Sequence, residues 1–301
     1  MRIYGYVRPE YVKVSIPSGM NYNKIRGTLR SRSLFTVCEE ARCPNIAECW
    51  DSGTATFMVM GGNCSRGCRF CSVTHGNMMP LDPDEPFKVA ESVKEMGLKF
   101  AVITSVDRDD LPDQGASHFA KVIKEVKAIG VKVESLIPDF QGRIDLIDLI
   151  AETRPEVISH NIETVRRLTG SVRDPRAGYD QSLSVLRYIK DSNPDQITKS
   201  SIMLGLGESD HEVTETLHDL KVAGVDIVTL GQYLRPSKKQ IEVVEYCPAS
   251  RFKMFEEIGY EIGFQYVASG PLVRSSYRAA EAWVSRRIEN GAGKKGKEIV
   301  G

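Results

Sequence analysis

Short apolar runs alternate with longer amphipathic segments along most of the chain. Runs rich in β-branched residues predict buried parallel strands at residues 54–61, 100–106, 131–137, 156–162, 200–206 and 225–234. The segments between them have helical spacing and predict helices at residues 84–97, 117–130, 143–153, 179–192 and 209–224. Six β/α repeats over residues 54–265 predict an α/β fold, a partial (β/α)6 TIM-like barrel. A doubly wound open sheet is the alternative, because alternation alone does not exclude it.

Composition and charge indicate which kinds of binding partner and which cell compartment to expect. The chain has 301 residues with 40 basic and 40 acidic side chains, so a net charge of zero gives no indication of nucleic-acid binding. Its beginning, "MRIYGYVRPEYVKV", lacks the apolar core of a secretory signal, and no window approaches about 18 uninterrupted apolar residues. The sequence therefore predicts a cytoplasmic protein without a membrane segment.

The cysteines point to metal binding. There are seven, an odd number, and a reducing cytoplasm disfavours disulfides. Cys64, Cys68 and Cys71 lie in "GGNCSRGCRFCSVTHG", residues 61–76, on the loop after the first predicted strand. Their spacing also fits one face of a helix, but the glycines around them favour a loop. A structural zinc site needs a fourth ligand, whereas a [4Fe–4S] cluster on three thiolates keeps one iron open for a small molecule.

This C-x3-C-x2-C spacing, with Phe70 before the last cysteine, resembles the signature of the radical S-adenosylmethionine (SAM) superfamily. The resemblance implies that Cys64, Cys68 and Cys71 hold a [4Fe–4S] cluster whose open iron binds SAM. It also implies a 5′-deoxyadenosyl radical that removes hydrogen from unactivated carbon. The predicted elements agree with the partial barrel of that superfamily.

A second triad precedes the barrel. Cys38, Cys43 and Cys49 are spaced C-x4-C-x5-C, which does not fit one helical face; three unrelated buried cysteines are the alternative. With this triad, the chain is similar to the lipoyl synthase family over about residues 11–280. The other segments that carry the similarity are "SVDRDDLPDQGA", "HNIETVRRL", "SIMLGLGE", "TLGQYLRPS" and "ASGPLVRSSYRA".

The similarity implies a second, auxiliary [4Fe–4S] cluster on Cys38, Cys43 and Cys49, with a serine of the RSSY segment as its fourth ligand. Of Ser275 and Ser276, we predict that Ser276 is the ligand. A serine oxygen is a harder ligand than thiolate, and its weaker bond to iron suits a cluster that is taken apart as the sulfur source.

The implied reaction inserts sulfur at C6 and C8 of an octanoyl-lysine and consumes two SAM per turnover. The implied partners are an octanoylated carrier, either an E2 subunit or a glycine-cleavage H-protein, a reduced ferredoxin- or flavodoxin-type electron donor, and an iron–sulfur carrier. Residues 1–53 are expected to form an N-terminal extension with the auxiliary-cluster cysteines, residues 54–265 the barrel, and residues 266–301 a C-terminal segment with a flexible tail. Both extensions are expected to cover the barrel mouth.

Candidates for SAM binding follow the later strands. Asn161 and Glu163 come at the end of the fourth strand and are candidates for contacts with the SAM ribose or with the substrate; a simple strand-end cap or turn is the alternative. Arg173 and Arg176 have guanidinium groups that suit either the SAM carboxylate or an acidic group of the carrier protein, and a solvated loop is their alternative. Gly205 and Gly207 follow the fifth strand and allow close backbone approach to adenosine, although a Gly-rich turn alone is a weak signal.

Two other functions compete with this interpretation. A biotin synthase-like enzyme is the alternative among radical SAM enzymes that insert sulfur. A non-catalytic iron–sulfur or zinc module is the alternative from another class, and the zero net charge and the three-ligand triad argue against it. Residues 239–264, on the substrate-side loop, and Gln114, near the expected SAM site, depart from the family pattern.

Overall fold

The computed structural model describes residues 20–51, 55–276, 283–284 and 287. Its main sheet contains eight strands: β1 (Phe35–Thr36), β2 (Thr56–Val59), β5 (Phe100–Ser105), β6 (Lys132–Leu136), β7 (Val157–Ser159), β8 (Ile197–Leu204), β9 (Ile227–Gln232) and β10 (Tyr266–Gly270). β1 is antiparallel to β2, and all other neighbours are parallel. A separate two-stranded pair, β3 (Asn63–Cys64) and β4 (Thr74–His75), lies in the loop after β2.

The strand order decides between the two predicted architectures. From β2 to β10, each parallel strand lies beside the next one along the chain, without a reversal. A doubly wound sheet reverses its strand order at a switch point, so that alternative is excluded. The sheet winds in one direction, as a partial barrel requires.

Helices form most of the connections between the strands. They are α1 (Met20–Ser31), α2 (Val37–Glu40), α3 (Ile46–Asp51), α4 (Glu85–Met96), α5 (Ala116–Ala128), a 3₁₀ helix (Phe140–Gly142), α6 (Ile144–Ala151), α7 (Arg166–Val172), α8 (Tyr179–Ser192), α9 (Asp210–Val222) and α10 (Ala249–Ile262). The five predicted helices correspond to α4, α5, α6, α8 and α9. α9 begins where the sequence predicts because Ser209 and Glu212 form a reciprocal capping box.

All six predicted strands are confirmed, and β10 is an additional parallel strand. Its sequence, YVASG, is short and contains small residues, so its pattern does not predict a strand. β10 pairs with β9 from Tyr266, opposite Ile227, to Gly270, opposite Gly231. It follows residue 265, the predicted end of the barrel, and leads directly into the serine-bearing segment.

The N-terminal residues share a core with the barrel. Leu29 and Trp50 are fully buried and belong to the same hydrophobic cluster as Phe57 and Val59 of β2. The N-terminal cysteines therefore lie on a support that packs against the first barrel strand.

Parts of the predicted C-terminal segment cannot be compared with the fold. Tyr277 and, apart from Arg287, the predicted tail at residues 285–301 lie outside the described residues. Within the described part of the chain, no helix is both long enough and apolar enough to span a bilayer.

Candidate active site

A cavity of about 380 Å³ opens where the parallel strands end. Its wall includes Thr104 of β5, Leu136 of β6 and Ile202 of β8. It also takes residues from the N-terminal and C-terminal segments, so three parts of the chain form one site. The wall contains both predicted triads and both candidate serines: Cys38, Cys43, Cys49, Cys64, Cys68, Cys71, Ser275 and Ser276.

The loop that carries Cys64, Cys68 and Cys71 is not helical. Cys64 lies in β3, and its carbonyl accepts a hydrogen bond from the Gly76 N–H at 3.0 Å, which closes the loop. The Cys71 N–H donates to the Cys68 carbonyl at 3.1 Å and forms a tight turn. The alternative of a helical stripe is therefore wrong.

Backbone N–H groups lie close to the sulfurs of this triad. Those of Arg66 and Asp107 are 3.4 Å from Cys64 Sγ, and that of Asp174 is 3.3 Å from Cys68 Sγ. These contacts favour the thiolate form. Burial has the larger, opposite effect and raises the pKa of Cys64 and of Cys68 to about 12. The sulfurs therefore need a cationic partner to act as thiolate ligands near neutral pH.

Arg66 fixes the loop between the first two of these cysteines. Its buried guanidinium donates to Asp109 at 2.8 and 2.9 Å and to Asp139 at 2.8 Å, and its Nε lies 3.4 Å from Asp107. Burial alone would raise the pKa of Asp109 and of Asp139, but the hydrogen bonds from Arg66 hold both below their usual range. The loop is thus tied by charge to the segments that follow β5 and β6.

The sequence analysis did not single out Arg66, although a signal was present. An arginine inside the cysteine motif faces the acidic segment "DRDD", residues 107–110, which follows the next strand of the barrel. Loops at the carboxyl ends of adjacent parallel strands meet. An ion pair between these two loops was therefore predictable.

The N-terminal triad lies on two short helices and the turn between them. Cys38 belongs to α2 and Cys49 to α3, and the Cys43 N–H donates to the Cys38 carbonyl at 3.0 Å. Burial raises the pKa of Cys38 to about 11. Burial also raises the pKa of Cys43, and the Arg274 guanidinium opposes that rise. The C-terminal segment thus places a positive charge beside this triad.

Asn161, Glu163 and Arg173 line the cavity, as candidates for SAM binding should. Asn161 Nδ2 donates to Glu163 Oε1 at 3.1 Å. Burial raises the pKa of Glu163, and the charge of Arg173 opposes that rise. Arg173 is buried, so a solvated loop is the wrong description of its surroundings.

A chain of hydrogen bonds that sequence analysis missed holds Arg173. Its Nη1 donates to Ser182 Oγ at 2.8 Å, and His160 Nε2 lies 2.9 Å from the same oxygen. His160 Nδ1 lies 2.9 Å from the Ile137 carbonyl, which only accepts, so Nδ1 carries the proton and Ser182 donates to Nε2. Burial lowers the pKa of His160 to about 4, so this histidine is neutral at pH 7.

Gly205 and Gly207 do not belong to the cavity wall. Their φ angles are +97° and +102°, and a Cβ on Gly205 would lie 2.3 Å from a backbone oxygen of the chain itself. The Gly205 N–H donates to the Glu208 carboxylate at 2.6 Å. At Gly205, other parts of the chain occupy the close position in which we expected adenosine. Contact of either glycine with SAM stays a prediction.

Gln240 is a further residue that sequence reasoning missed. Its Nε2 donates to the Cys71 carbonyl at 3.0 Å, while Ser237 Oγ donates to its Oε1 at 2.6 Å. Gln240 therefore fixes the third cysteine of the loop from the substrate-side segment. It lies where the sequence departs from the family pattern, and a single glutamine there gives no signal.

Comparison with known proteins agrees with this geometry. The family model for the radical SAM superfamily matches residues 58–220, and the model for the N-terminal domain of lipoyl synthase matches residues 6–43. Lipoyl synthase of Picrophilus torridus is 69% identical over 282 residues, which cover 94% of this chain and 98% of that protein. Lipoyl synthase of Halobacterium salinarum is 55% identical and covers 94% of this chain and 93% of that protein. The chain belongs to the lipoyl synthase family.

A solved structure supports the fold of this lipoyl synthase family member. Streptococcus suis SuiB bound to S-adenosylmethionine aligns with a TM-score of 0.58 at 10% identity. The alignment covers 75% of this chain and 54% of that chain. At such low identity the likeness concerns the fold alone, and it agrees with the one-directional parallel sheet.

Membership in the radical SAM superfamily implies a [4Fe–4S] cluster and SAM, and the donor set of the lipoyl synthase cavity fits them. Three cysteines of one loop line the wall, and backbone N–H groups lie near two of their sulfurs. Among residues 20–51 and 55–276, no three Cys, His or carboxylate side chains are arranged to hold a single metal ion. Membership in the superfamily thus favours a cluster over the zinc alternative at this loop.

Proposed function

We propose that this protein is a lipoyl synthase, a sulfurtransferase that inserts two sulfur atoms at C6 and C8 of an octanoyl-lysine on a carrier protein. The observation that carries this proposal is the single cavity lined by both cysteine triads and by Ser275 and Ser276. Close relatives over nearly the whole chain are lipoyl synthases, which favours this reaction over the biotin synthase-like alternative.

We assign Cys64, Cys68 and Cys71 to the cluster that binds SAM, and the N-terminal triad to an auxiliary cluster. When bound, the first cluster and SAM supply the 5′-deoxyadenosyl radical, and the second cluster supplies sulfur. The two triads lie on different elements, one on the loop after β2 and the other on α2 and α3. This separation favours two clusters over one. Ser276 is the assigned fourth ligand of the auxiliary cluster, and Ser275 is the alternative.

The remaining wall suits an acyl chain. Val37, Met58, Val106, Ile137 and Ile202 all line the cavity. An octanoyl chain has no polar group beyond its amide and binds best to an apolar surface. The same residues exclude water from the reacting carbons, which protects a radical from side reactions.

The buried charges of the cavity suit SAM. Arg173 is held by Ser182 and presents a guanidinium at the wall, where it is assigned to the SAM carboxylate. Asn161 and Glu163 are assigned to the polar groups of the ribose, because an amide and a carboxylate together offer a donor and acceptors.

Replacing Arg173 with leucine should raise the dissociation constant of SAM by about 10- to 100-fold. The change removes a charge-assisted hydrogen bond of about 1.5–3 kcal/mol. SAM binding to the reduced, reconstituted protein is measured by the change in the electron paramagnetic resonance spectrum of the cluster. Arg167→Leu is the control, because Arg167 is exposed and pairs with Glu212 away from the cavity. Equal SAM affinity in both variants would contradict the assignment of Arg173.

The proposed reaction sets the partners. The substrate is an octanoylated lipoyl carrier, and an E2 subunit and a glycine-cleavage H-protein are both candidates. The reaction also needs a one-electron donor of the ferredoxin or flavodoxin type and an iron–sulfur carrier that rebuilds the auxiliary cluster. The cytoplasmic location expected from the sequence stays a prediction.

The proposal is tested with an octanoylated carrier peptide, reduced protein and SAM. We expect mass spectrometry to show the peptide gaining two sulfur atoms and losing two hydrogens, with about two 5′-deoxyadenosines formed per lipoyl group. Reactions without SAM, or with the non-octanoylated peptide, should give no sulfur-containing product. Formation of 5′-deoxyadenosine without any gain of sulfur would refute the proposed function.

A further inference from the structure

Asn45 joins the two ends of the chain at the cavity. It is 4% exposed, and its Nδ2 donates to the Leu272 carbonyl at 2.6 Å. The two residues are 227 positions apart. This bond links the turn between Cys43 and Cys49 to the segment that carries the two serines.

The backbone of Asn45 also organises the N-terminal triad. Its carbonyl accepts a hydrogen bond from the Cys49 N–H at 2.9 Å. Its own N–H makes a hydrogen bond to the Cys43 thiol. One residue thus contacts two of the three cysteines and the serine segment.

The serine segment, residues 271–276, also contacts strand β9. Gly231 of β9 lies against it so closely that a Cβ at this position would lie 2.1 Å from the Val273 carbonyl oxygen. The Val273 N–H also donates to the Gly270 carbonyl at 3.0 Å. The segment therefore contacts both the Asn45 amide and the backbone of β9.

We propose that Asn45 is a positioning residue that holds the serine segment against the N-terminal triad and so controls how firmly the auxiliary cluster is retained. This inference rests on the proposed function. A serine oxygen is the weakest of the four proposed ligands. Its bond to iron therefore depends on the fraction of time that the serine segment lies against the N-terminal triad. The Asn45–Leu272 hydrogen bond is a side-chain contact that holds the segment in place from the N-terminal triad, in addition to Arg274 beside Cys43.

The test is release of iron to a chelator from the anaerobically reconstituted holoenzyme, with no SAM present. In Asn45→Leu, which keeps the size of the side chain but removes the donor, we expect about four irons to leave about tenfold faster than in wild type. The other four irons should leave at the wild-type rate, and formation of 5′-deoxyadenosine should be unchanged. In the apoprotein, hydrogen exchange of residues 271–276 should be faster.

Three further variants make the result decisive. Gly231→Ala displaces the serine segment from the β9 side without touching the N-terminal triad, and it should give the same selective release. Ser276→Ala sets the maximum effect. Asn193→Leu, an exposed asparagine at the end of α8, should behave as wild type. Equal acceleration for both clusters, or auxiliary iron held as in wild type, would overturn the role of Asn45. Wild-type protein with only about four irons would instead refute the auxiliary cluster and the proposed function with it.

Discussion

Replacing Arg66 with methionine should destabilise the protein by about 3–5 kcal/mol and abolish binding of the cluster that we assign to Cys64, Cys68 and Cys71. The variant leaves the buried Asp139 without the cation that pairs with it. Asp109 also loses its contact with Arg66 but keeps Arg176 at 3.2 Å. An uncompensated buried carboxylate costs about that much. For a chain of this size, the melting temperature should fall by about 10 °C, measured by circular dichroism.

The destabilisation should depend on pH. Because Arg66 holds the pKa of Asp109 and of Asp139 below the usual range, these ion pairs stabilise the fold above about pH 4, and their contribution is lost as the pH falls below that value. Without Arg66, both carboxylates take up protons more readily, which relieves the strain in acid. The difference in melting temperature between wild type and Arg66→Met should therefore be largest at pH 7 and smaller near pH 4.

Arg143→Met is the matched control for this prediction. Arg143 also bonds to an aspartate, Asp145, at 2.6 Å, but both side chains are exposed. Such a surface pair contributes at most about 1 kcal/mol. If Arg66→Met melted within a few degrees of Arg143→Met, or differed from wild type equally at every pH, the buried charge cluster would not have the structural importance that we assign to it.

Local patterns in the sequence predicted the strands and both triads. A strand or a C-x3-C-x2-C loop is defined by residues that are close together in the chain, so it can be recognised from the sequence alone. β10 was missed because a strand of small residues is recognised only by its pairing with β9.

Long-range contacts were predicted less well. Arg66 meets Asp139 across 73 positions, and Asn45 meets Leu272 across 227. Asp139, Asn45 and Leu272 have no distinctive local pattern, and the fold brings the two residues of each pair together. The resemblance to a family supplied the assignment of cysteines to two sites, while the residues that orient those sites came from the structure. Gly205 shows that a local pattern can also suggest a ligand contact where the glycine is needed for packing of the chain against itself.

The two triads are held by different residues. We therefore expect that removing one triad does not affect the other. Cys64, Cys68 and Cys71 depend on Arg66 and Gln240, whereas Cys38 is packed in the core beside Trp50. Replacing all three cysteines of one triad with alanine should therefore leave the other site intact.

We expect both triple-alanine variants to keep about four irons of about eight and to form no lipoyl product. The variant that lacks the N-terminal triad should still convert SAM to 5′-deoxyadenosine, because the loop that we assign to SAM binding is unchanged. The variant that lacks the loop triad should form none. Iron analysis, liquid chromatography of 5′-deoxyadenosine and mass spectrometry of the carrier peptide measure the three quantities on the same samples.

Cys247→Ala is the control that separates these effects from the general loss of a cysteine. Cys247 is fully buried but does not belong to the cavity wall, so this variant should keep about eight irons and full product formation. If removing the N-terminal triad also abolished 5′-deoxyadenosine formation, the two sites would not be independent. Such a result would contradict the assignment of the two triads to separate supports.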